Sequence, residues 1–161
     1  MEIGRAITER AEMLENTSLS MEFTWAELLD LSRYMGTMKY KKGTAVFEEG
    51  DRDVFMCVVV KGAVNIMKRD EHLAAKHVTA IGVGKVIGEM SMIDGNPRSA
   101  AAIAAADTIL VTLSKESMDL LFKEKPYVGL KLLKKIAFSM SQRLRQTTGV
   151  LVDYLERGQL L

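Results

Sequence analysis

The sequence predicts an α+β protein in which an antiparallel β-sandwich or barrel is flanked by helices at both ends. Helical periodicity marks residues 2–15 and 25–35, and it returns after Ser114 for the rest of the chain. From Met38 onwards, the intervening segment consists of short β-rich runs separated by glycine and aspartate turn residues. Several short strands separated by turns are typical of an antiparallel sandwich or barrel.

Length, charge and cysteine content limit the kinds of partner. The 161 residues suffice for one domain with extra terminal helices. With 22 basic and 21 acidic side chains, the net charge of +1 does not favour nucleic acid or an anionic membrane. Cys57, the only cysteine, lies in the apolar run "VFMCVVV", which excludes an internal disulfide and indicates a buried thiol in a reducing compartment. We find no secretory segment and no apolar run of ~18 residues, so we expect a cytoplasmic protein without a membrane partner.

The elements can be assigned in chain order. In "TWAE", Thr24 is placed to cap the second helix and Glu27 to complete a capping box. After the first β-rich segment, "SAAAIAAA" and "TILVTLS" are read as strands divided by Asp107, although the alanines favour helix by propensity. We assign an N-terminal helical extension to 1–24, the β-rich domain to 25–125 and a C-terminal helix to 126–161.

The C-terminal helix carries a heptad pattern. Its a and d positions are Leu130, Leu133, Ala137, Met140, Leu144, Thr147, Leu151 and Tyr154. A helix over this span is roughly 45 Å long at 1.5 Å per residue, which exceeds what a small barrel covers. The helix either packs on its own domain or forms a parallel coiled coil between subunits. Its length favours a homodimer through Leu130–Tyr154.

The segment "IGEMSMIDGNPRSA", residues 87–100, places two charges among small and apolar residues. A short helical turn after Gly88 offers free backbone N–H groups, and Arg98 offers a planar fork of donors for phosphate oxygens, with Ser99 adding a hydroxyl. A carboxylate beside a phosphate is repulsive unless it accepts hydrogen bonds or pairs with a cation. Glu89 therefore indicates either a ligand with both phosphate and sugar hydroxyls, or a structural ion pair with Arg98.

This segment resembles the phosphate-binding cassette of cyclic-nucleotide-binding domains, and "KKGTAVFEEGD" and "VVVKGAVNI" resemble the glycine-punctuated strands that precede it in that family. The resemblance runs from about Trp25 to Tyr154. It implies an antiparallel, jelly-roll-like β-roll of about eight strands, with N-terminal helices, a short phosphate-cassette helix and a long C-terminal dimerisation helix.

The resemblance also implies a set of ligand-binding residues. Backbone contacts would come from Gly88 and Met90, the ribose 2′-hydroxyl would bind Glu89, and the cyclic phosphate would bind Arg98, Ser99 and the Ala100 backbone. The apolar wall around the base would fall on Ile66, Val78 and Ile81, which are equally compatible with ordinary core positions.

The stretch "MSQRLRQTTGVL" resembles the long helix of bacterial cAMP receptor proteins, in which two consecutive hydroxyl residues meet the adenine amino group. Thr147 and Thr148 occupy those positions, the second reaching across the dimer. A buried threonine can instead bond back to its own helix carbonyl. The pair favours cAMP, whereas Ser99 leaves cGMP open because its hydroxyl can also bond a guanine amino group.

Two features depart from those receptors. The thirteen residues after Thr148 cannot hold a helix-turn-helix, so DNA binding is not expected unless the sequence is a fragment. Gly149 costs ~1 kcal/mol in a helix interior, and we hypothesise that the helix beyond it orders only when ligand binds.

We predict a regulatory module that senses a cyclic nucleotide, without a metal, and acts on an unidentified protein partner. The alternatives are a ligand-free dimerisation scaffold or a cupin-like β-roll enzyme. Catalysis is not expected, because His72 and His77 are the only histidines and form no ligand cluster with carboxylates from other strands.

Overall fold

The computed structural model of the protein describes residues 2–158 and has the α+β architecture that the sequence predicts. Helix α1 (Glu2–Glu15), a 3₁₀ turn (Ser18–Glu22) and helix α2 (Trp25–Arg33) come first. The eight strands are β1 (Gly36–Tyr40), β2 (Ala45–Phe47), β3 (Phe55–Lys61), β4 (Val64–Arg69), β5 (Ala75–Ile81), β6 (Val86–Ile87), β7 (Ala101–Ala104) and β8 (Thr108–Ser114). Helix α3 (Glu89–Asp94) lies between β6 and β7, and α4 (Lys115–Glu124) and α5 (Pro126–Gly158) end the described chain.

The strands form two four-stranded antiparallel sheets. Their orders are β1-β8-β3-β6 and β2-β7-β4-β5, so neighbours in space come from distant parts of the chain, as in a jelly roll. The alanine-rich segment forms strand β7 in the centre of the second sheet. Strand β7 pairs with both β2 and β4 and buries Ala101, Ala102 and Ala104, and this tertiary context overrides the helical propensity of alanine.

Strand β3 shows how the core is divided. Its apolar run is buried on both faces: Met56 and Val58 pack towards the helices, whereas Cys57 and Val59 pack between the two sheets. This alternation follows from the two-residue period of a strand. The core therefore has two layers, one between the first sheet and the helices and one inside the β-roll.

The N-terminal helices and the first third of α5 form one packed unit. Thr24 caps α2, and Glu27 completes the capping box predicted from "TWAE". The carboxylate of Glu27 also pairs with Lys131 of α5 at 2.8 Å, while Leu132 and Ile136 are buried in the helical layer. These contacts fix the start of α5 against the body of the protein.

The second half of α5 has a different environment. Leu144, Leu151 and Tyr154 are exposed in the single chain, although they are apolar and lie on the heptad pattern. The helix continues through Gly149 to Gly158. An exposed apolar helix face of this kind is typical of an interaction surface.

Candidate functional site

A cavity of about 490 Å³ opens where the second sheet, the 87–100 segment and α5 meet. This volume is within the range of small-molecule binding sites. The cavity is lined by Phe47, Ile66, Val78, Thr79, Ile81, Ile87, Gly88, Glu89, Met90, Ser91, Arg98, Ser99, Ala100, Arg143, Gln146, Thr147 and Val150.

All the ligand-binding residues expected from the sequence line this cavity, except Thr148. The Thr148 hydroxyl donates to the carbonyl of Leu144 at 2.8 Å, one helical turn earlier. The back-bonding alternative considered for Thr147 thus occurs at its neighbour. Of the two threonines, Thr147 lines the cavity within one chain, whereas Thr148 lies on the adjacent helix face.

Arg98 is a buried cation at the base of the cavity, with only 3% of its surface exposed. Its Nη1 donates to the Gly88 carbonyl at 2.8 Å and its Nη2 to the Phe55 carbonyl at 2.6 Å. The guanidinium carbon lies 4.1 Å from the ring centre of Phe47 and 4.8 Å from that of Phe55. These contacts hold the guanidinium plane in one orientation.

No described carboxylate forms an ion pair with Arg98, and its buried Nε has no hydrogen-bond partner in residues 2–158. Burial lowers the pKa of Arg98, because the charged form loses hydration. A buried charge without a counter-ion is costly. Asp51, Asp53 and Glu89 favour the charged form from beyond ion-pair distance, so no described carboxylate contacts the guanidinium directly.

Gly88 is required where the cavity wall passes Arg98. Its φ of 79° lies in the left-handed region, and a Cβ at this position would be 2.7 Å from both Arg98 Nη1 and the Phe55 carbonyl oxygen. Glycine thus permits both the backbone turn into α3 and the close approach of the arginine.

Glu89 pairs with an arginine that the sequence analysis did not identify. The structural ion pair with Arg98 considered from the sequence is absent from the described residues, and Oε1 of Glu89 instead accepts a hydrogen bond from Nη1 of Arg143 on α5. Arg143 also donates to the Val86 carbonyl. The second oxygen of Glu89, Oε2, is buried without a partner in the described chain, so its capacity to accept a hydrogen bond is unused there.

The face of α5 that meets the cavity consists of Arg143, Gln146, Thr147 and Val150. Their spacing of i, i+3, i+4 and i+7 is that of one helix face, and this pattern is visible in the sequence. Only Thr147 was singled out, because Gln146 and Arg143 look like ordinary solvent-facing residues on a charged helix. Phe47 was missed because an aromatic residue in a strand usually indicates core.

Cys57 lies directly beneath the site in the β-roll layer. Burial raises the pKa of its thiol to about 12, so the group is a neutral core side chain. Among residues 2–158, no group of three or more His, Cys, Asp or Glu side chains is arranged to hold a metal ion. The described helices include none that is long and apolar enough to cross a membrane.

Comparison with known proteins identifies the family. The family model described as "Cyclic nucleotide-binding domain" matches residues 37–125, more than half of the chain. The chain therefore belongs to the cyclic nucleotide-binding domain family.

Two sets of relatives agree with this assignment. The Cyclic AMP receptor protein of Thermus thermophilus is 32% identical over 123 residues, which cover 74% of this chain and 54% of that protein. The chain spans about half the length of this relative and of a similar regulator from Mycobacterium tuberculosis. A crystal structure of a cyclic nucleotide-binding domain from Methylobacillus flagellatus superposes with a TM-score of 0.81 at 28% identity, covering 92% of this chain and 84% of that one. The Thermus thermophilus Catabolite Activator Protein gives 0.70 at 29% identity, covering 86% and 62%.

Proposed function

We propose that this protein is a cAMP sensor that acts in the cytoplasm as a homodimer and transmits ligand occupancy through α5. The observation that carries the proposal is Arg98, a buried cation with no carboxylate partner in the described chain, at the base of a cavity of about 490 Å³. A cyclic nucleotide supplies the missing anion together with a sugar and a base that fill the rest of the cavity.

The phosphate is bound at the Arg98 end. Arg98, Ser99 and Ala100 follow one another in the lining of the cavity, and the buried Nε of Arg98 has no partner among residues 2–158. A guanidinium fixed by two carbonyls and two aromatic rings loses little conformational entropy when it binds an oxyanion. Phosphate binding therefore gives the buried charge of Arg98 an anionic partner.

The ribose is bound by Glu89. Its Oε2 is buried without a partner, whereas its Oε1 is neutralised by Arg143. A hydroxyl donor satisfies Oε2, and the 2′-hydroxyl of a cyclic nucleotide is such a donor within one sugar ring of the phosphate. The contact of Glu89 with Arg143 removes the repulsion that a free carboxylate would exert on the phosphate.

The base lies towards β5 and α5. Ile66, Val78 and Ile81 supply an apolar wall, and Thr147 lines the same cavity. Thr147 favours adenine, whose amino group is a donor to a hydroxyl oxygen, and Thr148 is available to the nucleotide of the partner chain in a dimer. cGMP remains the competitor, since Ser99 also lines the cavity.

The dimer is supported by the second half of α5. Leu144, Leu151 and Tyr154 are exposed there along the heptad pattern, and a second copy of the same helix buries them. The pair of Glu89 and Arg143 joins this helix to the ribose-binding carboxylate. Ligand contacts at Glu89 and at Thr147 are thereby both transmitted to α5, the first through Arg143 and the second directly. A partner protein then binds according to the resulting conformation of the helix.

Competition binding tests the ligand. We expect cAMP to displace a fluorescent cAMP analogue at micromolar concentration or below, cGMP to displace it less well, and 5′-AMP to fail because its doubly ionisable phosphate lies outside the ring. The Thr147→Val variant should lose most of the preference for cAMP over cGMP, and Thr148→Val is the matched control for changes at the helix. Preference for cGMP in the unaltered protein would show that Thr147 does not select adenine.

Hydrogen exchange tests the coupling. Saturating cAMP is expected to slow amide exchange in α5 beyond Gly149 in the dimer, because the ligand adds contacts to the cavity face of this helix. Exchange after Gly149 that is unchanged by cAMP would refute the coupling while leaving ligand binding intact.

A further inference from the structure

The peptide groups of Ser99 and Ala100 are held by residues that do not line the cavity. Ser99 and Ala100 line the cavity, and no described hydrogen bond uses the amide N–H of either residue. The carbonyl groups of the same two peptides do have partners. The Arg98 carbonyl accepts a hydrogen bond from the Gly50 N–H at 2.8 Å. The Ser99 carbonyl accepts from Nζ of Lys68 on β4 at 2.5 Å.

These two contacts decide where the N–H groups point. In a trans peptide, the C=O of one residue and the N–H of the next point in opposite directions. The contact from Gly50 to the Arg98 carbonyl therefore turns the Ser99 N–H away from the 48–54 loop. The contact from Lys68 to the Ser99 carbonyl turns the Ala100 N–H away from the Lys68 ammonium group, and Ala100 itself lines the cavity.

Lys68 is itself held in place by the 48–54 loop. Its Nζ lies 3.2 Å from Oε1 of Glu49, and the other Glu49 oxygen accepts from the Arg69 N–H at 2.9 Å. The same loop bonds the Arg98 N–H through the Asp51 carbonyl at 2.8 Å. Glu49 and Lys68 thus join β4, the loop and the anion-facing peptide into one hydrogen-bonded unit.

We propose that Lys68, oriented by Glu49, is a positioning residue for anion binding: it fixes and polarises the Ser99–Ala100 peptide so that the amide N–H points into the cavity. An ammonium group on the carbonyl oxygen withdraws charge from the peptide and makes the N–H on its far side a stronger donor. Lys68 does not line the cavity and needs no contact with the ligand.

This inference rests on the proposed function, since the anion is taken to be the phosphate of a cyclic nucleotide. The chain offers a matched control in Lys76, which pairs with Lys68 in the register of β4 and β5. Lys76 contacts Asp70 at 3.7 Å and has no bond to the 87–100 segment. Lys68→Met and Lys76→Met therefore remove the same charge from neighbouring positions on one sheet.

The first measurement uses the ligand-free protein, by nuclear magnetic resonance of the Ser99 carbonyl carbon and the Ala100 amide. We expect both signals to shift in Lys68→Met, to stay near their original positions in Lys68→Arg, and to be unaffected by Lys76→Met. Signals that are the same in Lys68→Met and Lys76→Met would overturn the proposal without any reference to the ligand.

The second measurement is the affinity for cAMP and for the two diastereomers of its phosphorothioate, in which sulfur replaces one or the other exocyclic oxygen. Lys68→Met should bind cAMP about tenfold more weakly than Lys76→Met, with partial recovery in Lys68→Arg. Sulfur is a poor acceptor, so the loss should be smaller for the diastereomer whose sulfur faces the Ala100 N–H.

Equal affinities of Lys68→Met and Lys76→Met for cAMP, or equal losses for both diastereomers, would overturn the positioning role. Failure of the unaltered protein to bind cAMP would count against the proposed function instead. The change in the Ser99 carbonyl signal of the ligand-free variants would then be the only test of the role of Lys68.

Discussion

Replacement of Arg98 by lysine or methionine separates the effect of charge from that of geometry. Lysine keeps the positive charge, but its single compact ammonium group cannot reproduce the planar fork that places Nη1 on the Gly88 carbonyl and Nη2 on the Phe55 carbonyl. Methionine keeps similar volume against Phe47 and removes the charge. One charge-assisted hydrogen bond contributes about 1.5–3 kcal/mol, so Arg98→Lys should weaken cAMP binding about 10- to 150-fold. Arg98→Met should weaken it by at least about 150-fold, since both the charge and the fork are lost.

The stability of these variants follows different physics. Arg98→Met removes the hydrogen bonds that Arg98 donates to the Gly88 and Phe55 carbonyls, but it also removes a buried cation that has no described ion-pair partner. The opposing effects should keep the free energy of unfolding within about 2 kcal/mol of the original. Urea denaturation measures this change, and calorimetric titration of the folded variants measures the affinity. An Arg98→Met protein that is folded and binds cAMP within threefold of the original affinity would refute the role of Arg98 as the anion partner.

Three further predictions concern single residues. Gly88→Ala should lower thermal stability and abolish cAMP binding, because the added Cβ meets Arg98 Nη1 and the Phe55 carbonyl at 2.7 Å; normal binding would show that the backbone adjusts. Arg143→Met should destabilise the ligand-free protein by at least about 1 kcal/mol in urea, since Glu89 loses its only described cation, and an unchanged midpoint would contradict this pairing. The thiol of Cys57, with its pKa raised to about 12 from 9.0, ionises in the unfolded chain first, so the free energy of unfolding should fall as pH rises above about 9. Cys57→Ala should reduce this slope by up to about 1.4 kcal/mol per pH unit, and identical slopes would refute the burial effect.

The fold was predictable because local and global signals agree along most of the chain. The capping box at Thr24, the glycine-separated strands and the long helical period after Pro126 each determine an element without tertiary information. Strand β7 is the exception: its alanines favour helix, and only pairing with β2 and β4 makes the strand the stable form. The jelly-roll-like arrangement was implied only by the resemblance to the family, and the order of the strands in the two sheets, which follows from long-range packing, was not predicted.

The site was predictable where the residues adjoin in sequence. Gly88, Glu89, Arg98 and Ser99 lie within one segment, so their common location follows from a short helix and a turn. The partner of Glu89 was not predictable in this way, because Arg143 is distant in sequence and resembles many arginines on exposed helices. The expected alternative of a Glu89–Arg98 ion pair was wrong for the same reason: sequence proximity does not show that Arg98 instead faces two carbonyls and two aromatic rings.

The contribution of residues outside the cavity lining is still harder to predict from the sequence. Lys68 and Glu49 are charged residues at the end of a strand and in a loop, a pattern that normally indicates solvent exposure. Their relation to the site depends on the pairing of β4 with β7, which brings Lys68 beside the Ser99 carbonyl.

Calorimetric titration of the purified, nucleotide-free protein with cAMP tests the central claim most directly. The account predicts about one cAMP bound per chain with micromolar or tighter affinity, weaker binding of cGMP, and no measurable binding in Arg98→Met. Absence of binding for both cyclic nucleotides, after removal of any nucleotide retained during purification, would contradict the claim that this cavity is a cyclic-nucleotide sensor.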